Sequence, residues 1–278
     1  MQSVLTSGMG RPLLLVVWDF DRSFIDGDCE WSTFEHFGLG SEARRLSRSA
    51  EFAGRWPACT DSLFGMLAAG ENGRAPVSRA ELCEVVAGLK PFPAMQKVAD
   101  VIAGARAAGL PVEQRVLSDA NTTLIDVILQ QLQLREAFSA VVSNESHWDG
   151  ERLRAAPFLS PDEAAAQTAA VDGGVRTQYC PANLCKGAVV ASWLAELQPE
   201  RCIYIGDGRG DYGAAVQLRE GKDLLCARAD YPLHSLLQGQ AAADGEAPVV
   251  AQWLTWVDGK EVLAEVEDTL DNIRSGKL

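Results

Sequence analysis

Asp19-Phe20-Asp21-Arg22-Ser23 places two carboxylates two residues apart, directly after the apolar run from Leu13 to Trp18. A buried strand ending this way can aim the first acid into a crevice as a nucleophile or metal ligand, while a turn carries the second into the same small volume. Two like charges that close repel, so one acid is kept protonated or a divalent cation neutralises both. Either outcome serves phosphoryl transfer. Taken alone, the pair equally describes two solvated turn aspartates.

Three later clusters offer matching chemistry. Ser118-Asp119-Ala120-Asn121 follows a second apolar run and supplies a hydroxyl with helix N-terminal amides, groups that favour an anionic oxygen. An N-cap is the alternative use of Ser118. Lys186 closes Cys180-Pro181-Ala182-Asn183-Leu184-Cys185-Lys186 at the start of a helical pattern, an end the helix dipole makes unfavourable for a cation. A solvated lysine is the alternative there. Gly206-Asp207-Gly208-Arg209-Gly210-Asp211 follows Ile203-Tyr204-Ile205, its glycines allowing a tight turn that faces acids back over a sheet.

The elements that must position these residues are legible. Continuous apolar runs at Leu13 to Trp18, Arg115 to Leu117, Ala140 to Val142, Cys202 to Ile205 and Leu224 to Cys226 predict strands buried on both faces. Helical spacing in Met95, Val98, Ile102 and Ala105, in Leu124, Val127, Ile128 and Leu132, and in Leu184, Ala188, Ala191 and Leu194 alternates with them. The pattern predicts an α/β, doubly wound, mainly parallel sheet, with ligands outside the carboxyl ends of its strands. Residues 28–90 interrupt the alternation with helical spacing and predict a mostly helical insertion over those ends. Residues 144–182 read as loop with a short hairpin and an Ala-rich piece, and Ala251 to Leu278 as a closing helix.

Composition narrows the partners. The 278 residues carry 25 basic and 38 acidic side chains, a net charge of −13, and no basic patch, which excludes sequence-independent binding to nucleic acid or anionic membrane. No run is long enough to span a bilayer. Seven scattered cysteines do not form the paired framework of a small secreted domain, so they read as thiols in a reducing, cytoplasmic setting. Cys180 and Cys185 with His234 lack the spacing of a zinc site.

In the order Asp-x-Asp, Ser, Lys, Gly-Asp-Gly-x-x-Asp, the clusters resemble the haloacid dehalogenase superfamily of aspartate-nucleophile phosphatases. The Ser-Asp-Ala-Asn run at 118–121, the Cys-Pro-Ala-Asn-Leu-Cys-Lys run at 180–186 and Tyr231-Pro232-Leu233-His234 resemble its phosphoethanolamine/phosphocholine phosphatase group, with pyridoxal-phosphate, thiamine-phosphate and pyrophosphatase relatives. The resemblance implies a core of residues 1–27 and 91–278, a helical C1 cap of residues 28–90, and Mg²⁺ as cofactor. It implies Asp19 as nucleophile and Asp21 as general acid and base, with the metal held by Asp19, Asp21 through its carbonyl, and Asp207. Asp211 would orient the metal's shell, and Ser118 and Lys186 would bind the phosphoryl oxygens. A small phosphorylated amine is the implied substrate, its headgroup met by Glu30 and Asp119 and by an aromatic face, Trp31 or Trp148. Pyridoxal 5'-phosphate, thiamine monophosphate and pyrophosphate are the alternatives, and a non-catalytic phosphoamine binder is the rival from another class. Ser23 stands where threonine or valine is usual, and Gly210 where asparagine is common.

Overall fold

The computed structural model describes residues 12–71, 73–160, 162, 163, 179, 181, 183–239 and 248–278. The Ala-rich piece, Cys180 and Ala182 lie outside them. Strand β1 (Leu14–Trp18) is buried along its whole length. Its side chains alternate between two apolar clusters: Leu14, Val16 and Trp18 join one face, Leu15 and Val17 the other. That two-sided burial explains why the run is continuous rather than alternating.

β1 sits inside a six-stranded sheet with β2 (Val112–Asn121), β3 (Ala140–Asn144), β6 (Arg201–Gly206), β7 (Leu224–Arg228) and β8 (Gln252–Trp256), in the order β3-β2-β1-β6-β7-β8. All five pairings are parallel. Helices α5 (Pro93–Ala107), α6 (Thr122–Gln131) and α10 (Lys260–Arg274) cover the first face; α7 (Lys186–Leu197), α8 (Asp211–Ala215) and α9 (Pro232–Gln238) cover the second. From β1 the chain runs outward through β2 to β3, then crosses back to place β6, β7 and β8 on the other side of β1. The strand order therefore reverses between β1 and β6, where an open α/β sheet forms its crevice.

Between β1 and α5 lie four helices: α1 (Cys29–His36), α2 (Gly40–Ser47), α3 (Trp56–Ala69) and α4 (Arg79–Ala87). Their buried Phe34, Leu63, Phe64 and Val86 belong to the same apolar cluster as Val116 and Ile203 of the sheet. A hairpin of β4 (Ser146–Asp149) and β5 (Arg152–Ala155) reaches across to α3. There Asp61 accepts from Arg152 at 2.8 Å, Arg154 at 2.8 Å and the Ala155 amide at 3.0 Å.

Two expectations are corrected. The closing segment is not helical throughout, because residues 252–256 form edge strand β8 before α10 begins. Among the described residues only its inner edge pairs, with β7, and Gln252 and Trp253 are exposed, so it lacks the continuous apolar run of a central strand. Cys185 is disulfide-bonded rather than a thiol, whereas Cys29, Cys59, Cys83, Cys202 and Cys226 are free. Among the described residues no helix is long and apolar enough to cross a membrane.

Candidate active site

Asp19 and Asp207 follow the adjacent strands β1 and β6, on either side of the strand-order reversal. The strands are tied there by the Asp19 amide donating to the Ile205 carbonyl at 2.8 Å. Carboxylate oxygens of Asp19, Asp207 and Asp211 lie within 4.8 Å of one another, all three residues buried. Ser23 Oγ lies 3.3 Å from both Asp19 Oδ2 and Asp207 Oδ1, so the serine in the threonine position still supplies a hydroxyl to both acids.

Lys186, in the first turn of α7, donates to Asp19 Oδ1 at 2.6 Å and Asp211 Oδ1 at 2.7 Å. Burial alone would lower its pKa, but the two carboxylates hold its ammonium well above the usual lysine value. Asp211 is fully engaged. Besides Lys186 it accepts from Tyr204 Oη at 2.6 Å and from the Asp207 and Gly208 amides at 3.0 and 2.8 Å. Gly206 makes that possible, because a Cβ on it would fall 2.7 Å from the Asp211 carboxylate.

One lysine does not balance three buried carboxylates. Burial, then the charge of Asp211, pushes the Asp19 carboxyl well above its usual range against the pull of Lys186, and the same two causes push Asp207 to about 6. Clustered hard oxygen donors with surplus negative charge fit a divalent cation of the magnesium type.

Asp21 takes a different position. Its carboxyl accepts from the Cys29 amide at 3.0 Å and contacts Cys29 Sγ at 3.6 Å, facing the start of α1. Its side chain is absent from the three-acid cluster. Burial, followed by the charge of Asp28, raises it well above the carboxylate range, which favours its protonated form. Asp28 caps α1 through the Trp31 amide at 2.8 Å and pairs with Arg22 at 3.1 Å. Arg22 itself adopts the left-handed conformation, φ 57°, which costs a non-glycine residue about 1–2 kcal/mol.

These groups open into a cavity of 280 Å³ whose lining includes Asp119, Glu30, Trp56 and Arg209. Glu30 is 2% exposed; Asn121 Nδ2 donates to it at 2.7 Å and Trp56 Nε1 at 2.6 Å. Burial pushes its carboxyl up to about 8 despite those two donors.

Two expected residues sit elsewhere. Trp31 does not line the cavity: it stacks behind Trp56 at 6.1 Å, donates to Glu35 at 3.1 Å and lies under Arg44 at 5.6 Å. Trp148 likewise does not line the cavity and lies beneath Arg79 at 5.0 Å. The aromatic wall is Trp56, at the start of α3, which only the packing of the inserted helices could reveal. Ser118 is fully buried, its hydroxyl accepting from the Ala120 amide at 3.3 Å, and its neighbours Asp119 and Ala120 line the cavity in its stead. Asn121, not Ser118, caps α6, accepting from the Leu124 amide at 3.1 Å.

A model of the family described as "Putative Phosphatase" matches residues 14–270. The "Thiamine phosphate phosphatase-like protein" of Arabidopsis thaliana is 30% identical over 79% of this chain and 82% of its own length. The human "Phosphoethanolamine/phosphocholine phosphatase" is 26% identical over 94% of this chain and 91% of its own. A solved substrate-bound phosphoserine phosphatase shares the fold, with a TM-score of 0.54 at 12% identity over 91% of this chain and 98% of that one. With motif order, sheet and match in agreement, the chain belongs to this family of haloacid dehalogenase-type phosphatases, and its enzyme class is phosphoric monoester hydrolase.

Proposed function

We propose that the protein hydrolyses a small phosphorylated amine of the phosphoethanolamine or phosphocholine kind through an aspartyl phosphate on Asp19. The observation that carries the reading is the cavity itself. It joins the Asp19–Lys186–Asp211 cluster to a surplus of acids and one indole, in 280 Å³. That is below the usual range for sites of drug-sized ligands, about 300–1,000 Å³. Asp119 and the indole of Trp56, both in the lining, attract an ammonium group, while Glu30, with its carboxyl pushed up to about 8, offers that group a carboxyl oxygen rather than a charge.

In the first step an Asp19 oxygen attacks phosphorus in line as the ester P–O bond breaks, and protonated Asp21 gives its proton to the departing alkoxide. In the second, Asp21 as carboxylate takes a proton from water, which attacks the phosphorus and returns Asp19 with release of phosphate. Lys186 holds Asp19 in place and offers positive charge to the phosphoryl oxygens. Asp19, Asp207 and the Asp21 carbonyl would hold Mg²⁺, with Asp211 ordering its surroundings, and the ion would supply positive charge that favours ionised Asp19 and offsets the charge of the phosphoryl group.

The second reading is a ring-bearing phosphate such as thiamine monophosphate, favoured by the indole in the wall. Phosphate release with Mg²⁺ from phosphoethanolamine, phosphocholine, thiamine monophosphate, pyridoxal 5'-phosphate and pyrophosphate separates the two. The first pair should be fastest, and equal rates on all five discard headgroup selection. Asp19→Asn should lose on the order of 10³-fold or more and form no phosphoenzyme; normal turnover by that variant rejects the mechanism.

A further inference from the structure

The chain passes between the sheet and the inserted helices twice, and the two crossings lie side by side. Asp26 N donates to the Lys90 carbonyl at 3.1 Å, Phe92 N to the Phe24 carbonyl at 3.2 Å, and Ile25 and Pro91 form an isolated antiparallel bridge between them. The first crossing begins at the turn that carries Asp21 and left-handed Arg22, whose amide donates to the Gly27 carbonyl at 2.7 Å.

One side chain from two strands away in the sheet reaches both. Arg228, the last residue of β7, donates through Nη1 to the Arg22 carbonyl at 2.6 Å and through Nη2 to Asp26 Oδ1 at 3.1 Å. Its guanidinium lies over the ring of Phe92, on the second crossing, at 4.6 Å, and over Tyr231 and Trp256 at 4.2 and 5.5 Å. The side chain is 12% exposed. A planar fork stacked among three rings is a fixed object, and lysine could not reproduce either the fork or the stacking. The segment after Arg228 also touches the reaction centre from its other side, since the Leu233 amide donates to the Asp207 carbonyl at 2.8 Å.

We propose that Arg228 is the positioning residue that pins the two crossings together. By fixing the Arg22 carbonyl it sets the turn bearing Asp21, and by packing on Phe92 it keeps the helical insertion seated above the strand ends. The pin gives Tyr231 of the Tyr-Pro-Leu-His run and Asp26 a shared purpose outside the reacting groups. Asp26 contributes least, because its carboxylate is 62% exposed.

Only the kinetic half of the test rests on the phosphatase reading. Arg228→Gln should lower kcat at least about tenfold, as a slightly misplaced general acid would, with KM changed less than about twofold. Arg228→Lys should fall between it and the parent, and Asp26→Asn should stay within about twofold. Amide hydrogen exchange should quicken about tenfold or more at Arg22, Phe24, Asp26 and Phe92 in Arg228→Gln and remain unchanged in β1. Unchanged kcat and exchange, or exchange raised evenly along the whole chain, overturns the pin; if Arg228→Gln does not fold, Arg228→Lys decides by the same two measurements. Exchange needs no turnover. A parent protein that releases no phosphate therefore sinks the phosphatase reading without touching the pin, and unaltered exchange in an active enzyme sinks the pin alone.

Discussion

Glu30 shows how much a single residue's environment adds to its type. From sequence it is an acid eleven positions after Asp19; in the fold it is enclosed by α1, α3 and the end of β2, accepting from Asn121 and Trp56. Partners 91 and 26 residues distant leave no local signal, which is why the pairing could not be read beforehand. Its folded-state pKa of about 8 stands above the ordinary 4.5. The native state therefore holds a proton between those values that the unfolded chain has released, and stability must fall as pH rises across that window, by at most about 1.4 kcal/mol per pH unit. Urea midpoints taken at pH 5.5 and 8.5 should decline less for Glu30→Gln than for the parent, even if the variant is weaker at both. Equal slopes would contradict the raised pKa. Asp19, Asp21, Lys186 and Asp207 were legible for the opposite reason, because each lies within a few residues of an apolar strand or helix start that announces its position.

At the level of elements, the β6 end depends on a contact with no side chain. Gly206 lets the chain turn so tightly that Asp211, only five residues on, lies against its backbone and collects Lys186, Tyr204 and two amides. Gly206→Ala places a methyl 2.7 Å from that carboxylate. Because Asp211 helps hold Lys186, we expect kcat/KM to drop at least about tenfold, with about 1–3 kcal/mol of stability lost to overpacking. Steady-state kinetics beside a denaturant titration checks both, and a fully active Gly206→Ala would show that the carboxylate can move freely. Gly210 is different: its φ of −63° is ordinary and a Cβ there meets nothing within 4 Å, so Gly210→Asn should fold without strain and retain activity. The central strands could be read because both their faces are buried. Strand β8 could not, since an edge strand paired on one side carries a mixed pattern, and Trp56 could not, since the wall it forms exists only once four inserted helices have packed.

Across the whole molecule, the net charge of −13 has a local concentration in the acids around one cavity. The doubly wound order and the helical insertion were both visible in the change from strand-and-helix alternation to unbroken helical spacing. What the sequence did not disclose is how the two are joined. Phe34, Leu63 and Val86 of the insertion share one apolar cluster with Val116, Ile203 and Trp256 of the sheet, and Asp61 clasps the hairpin across the same boundary. Heat absorbed on melting should consequently appear as a single peak, with a calorimetric enthalpy equal to the van't Hoff value. Two resolved peaks would mean that the insertion melts on its own. A chain that folds as one cooperative unit also lacks a stable half-folded form, so damage far out in the inserted helices would be felt as loss of the entire enzyme rather than as a loosened cover.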